Sequence, residues 1–317
     1  MPLISVIIPA FNAEKTIEAT IQSVTNQTFT DFELIIVNDG STDRTLEIVN
    51  SIKDPRIRVL SYPNSGRVSI SRNRGFTQAV GEFIAFLDAD DLWTPEKLDL
   101  QLKALQSNSQ AAVAYSWVDC IDENGKFLRS TRRISINGDV HGELLLGNFL
   151  ENGSNPLIRK QALIEVGNFD ETLLNAEDHD LYLRLAANYQ FVCVPVPVVL
   201  YRISPNSKSC NVVRMEAQSR RVIEKGFERA PAPLKHLKKQ SLTNLYVYLT
   251  RKALEGPPDP MKGWRAAKYF WQYLLNDSER FQRMQFNKTL FVKIVKTIIK
   301  SPFEVASFRK GEEINIT

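Results

Sequence analysis

Phe83-Ile84-Ala85-Phe86-Leu87-Asp88-Ala89-Asp90-Asp91-Leu92-Trp93 runs five apolar residues straight into three carboxylates within four positions. A continuous apolar run without polar alternation reads as a strand buried on both faces, which a parallel sheet between helix layers requires. Carboxylates crowded past its carboxyl end repel one another and favour a bound cation that their oxygens can share. The same residues also suit a strand followed by a capped helix, with Asp91 as the cap and Pro95 in the first turn. The stretch alone leaves metal site and cap equally open.

Upstream of it the chain repeats one unit. Leu3 to Ile8 is a β-rich run closed by Pro9, and Ile17, Ile21 and Val24 set a helical period from Ala13 to about Gln27. Phe32 to Val37 predicts a second strand, ending in Asn38-Asp39-Gly40-Ser41-Thr42-Asp43, with a helix through Leu46, Ile48, Val49 and Ile52. Ile57 to Leu60 predicts a third, followed by a polar turn at Pro63-Asn64-Ser65-Gly66 and a helix carrying Arg67, Arg72 and Arg74. Alternating strands and helices with short connections predict a doubly wound α/β sheet, whose ligands bind outside the carboxyl ends of its strands. Asn12, Asp39 and Asp88 all fall at such ends, and three polar punctuations at one edge are harder to explain as caps than one. Arg72 and Arg74 could bring positive charge there for a ligand with phosphates. For Arg74 the expectation is a solvated helix face, the common fate of surface Arg.

Downstream, a helix is expected from Pro95 to Gln106 and a buried strand from Ala111 to Val118. Asp119 to Asp139 reads as a hairpin or loop excursion turning at Glu123-Asn124-Gly125, and Leu144 to Phe149 as a short helix. Asn155 to Arg159 reads as a strand returning to the site. Asn175-Ala176-Glu177-Asp178-His179-Asp180 opens a further helix with a second acidic cluster, which either serves the helix dipole or supplies a general base. A structural role is the expectation for His179. Phe191 to Leu200, broken by Pro195 and Pro197, suggests an edge strand, and the Ser/Asn/Lys-rich run to Asn211 a mobile loop.

The 317 residues suffice for an α/β domain, residues 1–211, and a basic, mainly helical C-terminal region, residues 212–317. The first holds 19 Lys+Arg against 26 Asp+Glu, a net −7, and the second 21 against 10, a net +11, so the two parts suit different partners. In Lys288 to Lys300, Leu290, Phe291, Ile294, Val295, Ile298 and Ile299 share an arc opposite Lys293, Lys296 and Lys300. That pattern fits peripheral membrane contact through 288–300 or packing within the region equally well. No apolar run is long enough to span a membrane, and no charged-then-apolar signal opens the chain, so a cytoplasmic location is expected, extending to the inner face of the membrane if the basic helix binds there. Cys120, Cys193 and Cys210 lack metal-ligand spacing.

Ser5-Val6-Ile7-Ile8-Pro9-Ala10-Phe11-Asn12, Asn38 to Asp43, Ser71-Arg72-Asn73-Arg74-Gly75, Phe86 to Asp91 and Glu177 to Asp180, in this order, make the chain resemble the family 2 glycosyltransferases over about residues 3–210. The resemblance implies an A-type glycosyltransferase fold, Rossmann-like, with a mostly parallel central sheet and helices on both faces. It implies a hexosyltransferase-type enzyme that takes a sugar from a nucleotide-sugar, usually a UDP-sugar, and inverts its anomeric centre. Pro9, Ala10, Phe11 and Asn12 would line the nucleoside pocket, Asp39 would bond the base, and Arg72 would lie beside it. Asp88, with Ala89, would touch the ribose or the metal, and Asp90 would hold Mg²⁺ or Mn²⁺ on the diphosphate. Asp178, or failing it Glu177, would deprotonate the acceptor, a carbohydrate or lipid-linked glycan. No nucleic-acid partner is implied, and a homo-oligomer is left open.

Two features depart from the family. Many relatives carry a His shortly after the Tyr-Arg pair, where this chain reads Tyr201-Arg202-Ile203-Ser204-Pro205, and often an aromatic residue in place of His179. Absence of a Gln-x-x-Arg-Trp pattern favours one sugar per encounter over processive synthesis. The alternatives are an inactive nucleotide-sugar-binding homologue and a sugar nucleotidyltransferase. The latter needs a Gly-rich basic loop after the first strand, which Pro9 to Asn12 does not supply.

Overall fold

A computed structural model describes residues 1–204, 211–277 and 282–299. The chain divides into two compact units, Met1–Ser207 and Lys208–Thr317. The loop expected before Asn211 lies mostly outside the described residues, as do Cys210 and Lys300.

In the first unit, the apolar runs become strands because a strand buried on both faces needs no polar alternation. β1 (Ile4–Ala10) is buried throughout, one residue past Pro9, and α1 (Ile17–Thr25) buries Ile17, Thr20, Ile21 and Val24 along one stripe. β2 (Phe32–Asn38), α2 (Thr45–Ser51), β3 (Ile57–Ser61), α3 (Val68–Gln78) and β4 (Phe83–Phe86) complete the expected units. β3, β2, β1 and β4 lie side by side in that order, all parallel, with Ile7 opposite both Ile35 and Phe86. Their carboxyl ends therefore share one edge.

Beyond β4 the sheet is mixed. β5 (Leu92–Trp93) and α4 (Lys97–Ser107) lead to β6 (Ala111–Ile121), which runs past the expected Val118 and turns into β7 (Phe127–Ser130) as an antiparallel hairpin. After α5 (His141–Leu146), β8 (Leu157–Arg159) inserts antiparallel between β4 and β6, and α6 (Lys160–Val166), which periodicity did not reveal, follows at once. α7 (Glu177–Ala186) precedes β9 (Gln190–Arg202). β9 is not at the edge: it pairs in parallel with β6 and antiparallel with the two-residue β5. Its prolines are tolerated where the β6 register shifts near Ser116 and Trp117, since a bulge needs no ladder donor there.

In the second unit, α8 (Val212–Arg229) and a 3₁₀ turn (Ala232–Leu237) precede α9 (Lys238–Ala253), α10 (Pro260–Asn276) and α11 (Met284–Ile299). Asp259 caps α10, accepting from the Met261 amide at 2.7 Å. The apolar arc of α11 is divided: Leu290 and Ile294 are buried, whereas Phe291 and Ile299 are exposed. Among the described residues no helix is long and apolar enough to cross a membrane.

Candidate active site

The site is built at the shared edge of β1, β2 and β4. Pro9 and Ala10 are buried at the end of β1, and the Ala10 carbonyl accepts the Asp39 amide at 2.8 Å, joining the two strand ends. Phe11 follows, 47% exposed. Asn12 adopts φ +48°, and its Oδ1 accepts the Thr42 amide at 2.8 Å, tying the loop after β1 to the loop after β2. Its side chain thus serves the backbone of that edge.

Asp39 is nearly buried, and both its oxygens are engaged. Ser65 donates its amide at 3.1 Å to each and its hydroxyl at 2.9 Å to Oδ2, and Arg74 reaches Oδ1 at 3.2 Å. The Arg74 guanidinium also lies 4.4 Å over the Tyr62 ring. The expectation of a solvated Arg74 is thus overturned. Its helix turns that face towards β2, where a buried carboxylate needs a cation.

The acidic run after β4 is held from two sides. The Ser154 hydroxyl accepts the Asp88 amide at 3.0 Å and donates to Asp91 Oδ2 at 2.6 Å, while the Ser154 carbonyl takes Trp93 Nε1 at 2.8 Å. From the other side Arg202 donates its amide to Asp91 Oδ1 at 2.9 Å and Nε to the Asp90 carbonyl at 2.7 Å. The Ala89 carbonyl accepts Thr16 Oγ1 at 2.8 Å and Thr20 Oγ1 at 3.0 Å.

Asp91 is therefore no helix cap. It is fully buried, α4 begins only at Lys97, and both its oxygens are taken within the protein. Burial, followed by the charges of Asp90 and Asp88, pushes its carboxyl well above the ordinary range. Asp88 and Asp90 remain half-buried at the edge.

Arg72 joins this run to the second cluster. Its side chain is 3% exposed, and it donates NH2 to Asp88 Oδ1 at 2.6 Å and NH1 to Glu177 Oε1 at 2.9 Å. Phe169 lies 5.0 Å from its guanidinium, and a Cβ on Gly153 would stand 2.6 Å from NH2, so only glycine leaves room. Burial works against the charge, but Asp88 and Glu177 outweigh it and hold the guanidinium above its ordinary value.

Glu177 and Asp178 open α7 behind Ala176, whose φ of +59° is left-handed. Asp178 accepts Asn148 Nδ2 at 3.2 Å and its neighbour's amide at 2.8 Å. Burial and then Glu177 push its carboxyl up to about 7, with Arg72 pulling the other way. Asp180 turns aside to Arg184 at 2.9 Å. His179 has Nε2 2.8 Å from the Leu144 carbonyl, and burial holds its imidazole below the ordinary value, in keeping with a structural role.

Sequence reading missed Ser154 and Gly153, which sit in a loop with no periodicity, and the clamp made by Arg202; Asn148 falls in the helix expected to Phe149, but α5 ends at Leu146 and leaves it in the same loop. Sequence reading also gave no sign of Lys97, fully buried with Nζ 3.8 Å over the Trp93 ring. Among the described residues no three His, Cys, Asp or Glu side chains are grouped to hold a metal.

Comparison with known proteins bears on the same elements. Over 222 residues, 66% of this chain, it is 32% identical to the UDP-Glc:alpha-D-GlcNAc-diphosphoundecaprenol beta-1,3-glucosyltransferase WfgD of Escherichia coli. It spans 80% of that protein, but only 26% and 19% of two longer relatives. Staphylococcus aureus TarS 1-349, solved with UDP-GlcNAc, superposes with a TM-score of 0.62 at 19% identity, covering 99% of this chain and 93% of that one. The mannosyltransferase PcManGT of Pyrobaculum calidifontis, solved with GDP-Man and Mn²⁺, gives 0.61 at 16% identity over 94% and 87%. These structures share the A-type glycosyltransferase fold. A family model described as glycosyltransferase like family 2 matches residues 5–253. That match runs from the first buried strand through both acidic clusters, and the chain belongs to this family of glycosyltransferases.

Proposed function

We propose that this enzyme moves one sugar from a nucleotide-sugar, in the first instance a UDP-sugar, to a hydroxyl of a carbohydrate or lipid-linked glycan, with inversion at the anomeric carbon. The observation that carries the reading is the buried Arg72 bridge. It fixes a carboxylate at the end of β4 against a carboxylate at the start of α7, beside an Asp178 poised near neutrality. The ligands of TarS and PcManGT and the lipid-diphosphate acceptor in the WfgD name support the donor and acceptor classes.

In this reading Pro9, Ala10, Phe11 and Asn12 border the nucleoside, and Asp39, already fixed by Ser65 and Arg74, accepts the imide N–H of the base. Asp88 and Asp90 suit a divalent cation by their chemistry: both are carboxylates at the edge, and Asp91 is committed elsewhere. A hard ion such as Mg²⁺ or Mn²⁺ is satisfied by one or two carboxylates when diphosphate oxygens and water complete its shell. Such an ion, when bound, stabilises the charge growing on the departing nucleoside diphosphate. Arg72 holds Asp88 in place for that task and anchors Glu177 at the start of α7. Asp178, oriented by Asn148, takes the proton of the acceptor hydroxyl as it attacks the face opposite the leaving group.

Transfer assays with a panel of nucleotide-sugars, with and without Mn²⁺, test this directly. Asp178→Asn should lower turnover by about 10²–10⁴-fold while leaving UDP binding by calorimetry intact. Asp90→Asn should abolish the response to Mn²⁺. Full activity in both variants would end the reading, and UDP binding without transfer or hydrolysis of any donor would make the protein a binder only.

A further inference from the structure

α10 wears its apolar residues on the wrong side for a soluble helix. Between 260 and 276 the exposed positions are Met261, Trp264, Lys268, Trp271 and Leu275; every other residue is buried or half-buried. Those five follow one another at intervals of three, four, three and four residues, so they form a single stripe along the helix. Trp264 and Trp271 are 63% and 61% exposed. Scattered surface hydrophobics need no explanation, but two tryptophans, a methionine and a leucine in line do.

The opposite face is fully used. Gly263, Ala266, Phe270 and Tyr273 are buried, a Cβ on Gly263 would stand 2.5 Å from Ile298, and the Tyr273 hydroxyl bonds Asn287 at 2.8 Å. α10 thus packs antiparallel on α11 and leaves the stripe outside. Both helices also lie beyond residue 253, where the match to the glycosyltransferase family ends.

Charge decides between occupants. α10 and α11 each carry three Lys or Arg and no Asp or Glu, and α11 adds exposed Phe291, Val292 and Ile299. A second copy docking by the same face would bring like charge onto like, because a two-fold interface sets a patch against itself. An anionic lipid surface supplies the opposite charge, and its headgroup region suits indole rings with an N–H at the water side. Lys268, within the stripe, can bury its stem and keep its ammonium among the headgroups. We propose that the Met261–Leu275 face of α10, on a helix pair with α11 that carries only basic charge, docks this protein on anionic membranes as an interfacial helix.

The full chain should float with vesicles of phosphatidylglycerol and phosphatidylcholine at low salt, and remain below with phosphatidylcholine alone. Brominated acyl chains should quench its tryptophan fluorescence. Trp264→Ser/Trp271→Ser should weaken vesicle binding by about tenfold or more and remove the quenching, with the melting midpoint unchanged because both rings are exposed. Wild-type protein that does not float at low salt, or a double variant that floats and quenches like wild type, overturns the proposal. Self-association in sedimentation that the double variant abolishes, without vesicle binding, assigns the stripe to a second copy instead and equally overturns it. Since the stripe and the carboxylates of the site belong to different units of the chain, failure of this test leaves the sugar-transfer reading standing.

Discussion

Arg72 and Asp178 are set against each other by one electrostatic environment. Burial alone would neutralise Asp178, and the neighbouring Glu177 pushes the same way, but the Arg72 charge restrains the rise to about 7. A base with that value is half ionised at neutral pH, near the optimum for accepting a proton without being too weak to hold it. If Asp178 acts in its ionised form, kcat/KM should fall about tenfold per pH unit below about 7 and level off above it. Arg72→Met removes the one positive partner, so the break should move to higher pH and the plateau should drop. Arg72→Lys should not restore it, because a single ammonium cannot span Asp88 and Glu177 as the planar guanidinium does. A profile flat down to pH of about 5 in the wild type would remove Asp178 as the base, whereas an unmoved break in Arg72→Met would remove Arg72 as its regulator.

Elements rather than single residues explain which parts of this site the sequence disclosed. The parallel half of the sheet was legible because strands buried on both faces print as unbroken apolar runs, and its polar ends then stand out at Asn12, Asp39 and Asp88. Asp91 was misread because a carboxylate's letter is the same whether it caps a helix or lies buried under Ser154 and Arg202. Arg74 was misread for the matching reason: the partner that draws it inward, Asp39, sits 35 residues earlier. The loop between α5 and β8 prints at its start as the end of a helix to Phe149 and beyond that as no pattern, yet it supplies Asn148 to Asp178, Ser154 to the acidic run, and the space at Gly153 for Arg72. That loop is the element to perturb. Gly153→Ala puts a methyl 2.6 Å from Arg72 NH2, so the guanidinium must retreat from Asp88 or the loop must shift. Overpacking of this kind costs about 1–3 kcal/mol, readable in urea unfolding, and transfer activity should fall with it. Unchanged stability and activity would mean that the bridge has slack that the close approach denies.

At the scale of the whole molecule, donor chemistry and surface chemistry occupy different lengths of chain. Every residue assigned to donor or acceptor lies between Pro9 and Asp178, in the first unit, where the charge balance up to residue 211 is −7. The positive excess of +11 lies beyond it, with the exposed stripe of α10. An acidic unit needs help to hold an anionic nucleotide, and Arg74 and Arg72 are both already committed to carboxylates at 3.2 and 2.6 Å. A divalent ion on Asp88 and Asp90 would supply the missing charge, so nucleotide and metal should bind as linked partners, each tightening the other by the same factor. Thermal unfolding reads that linkage without any turnover. UDP with Mn²⁺, at a hundredfold above its Kd, should stabilise the full chain by about 2.7 kcal/mol, and the same UDP concentration without metal by clearly less. Asp90→Asn should remove the difference between the two while keeping the small shift due to UDP alone, since Asp39 and the Pro9 to Asn12 segment are untouched. Equal shifts with and without Mn²⁺ in the wild-type protein would show that the nucleotide is held by protein groups alone, and would leave Asp90 without the role proposed for it.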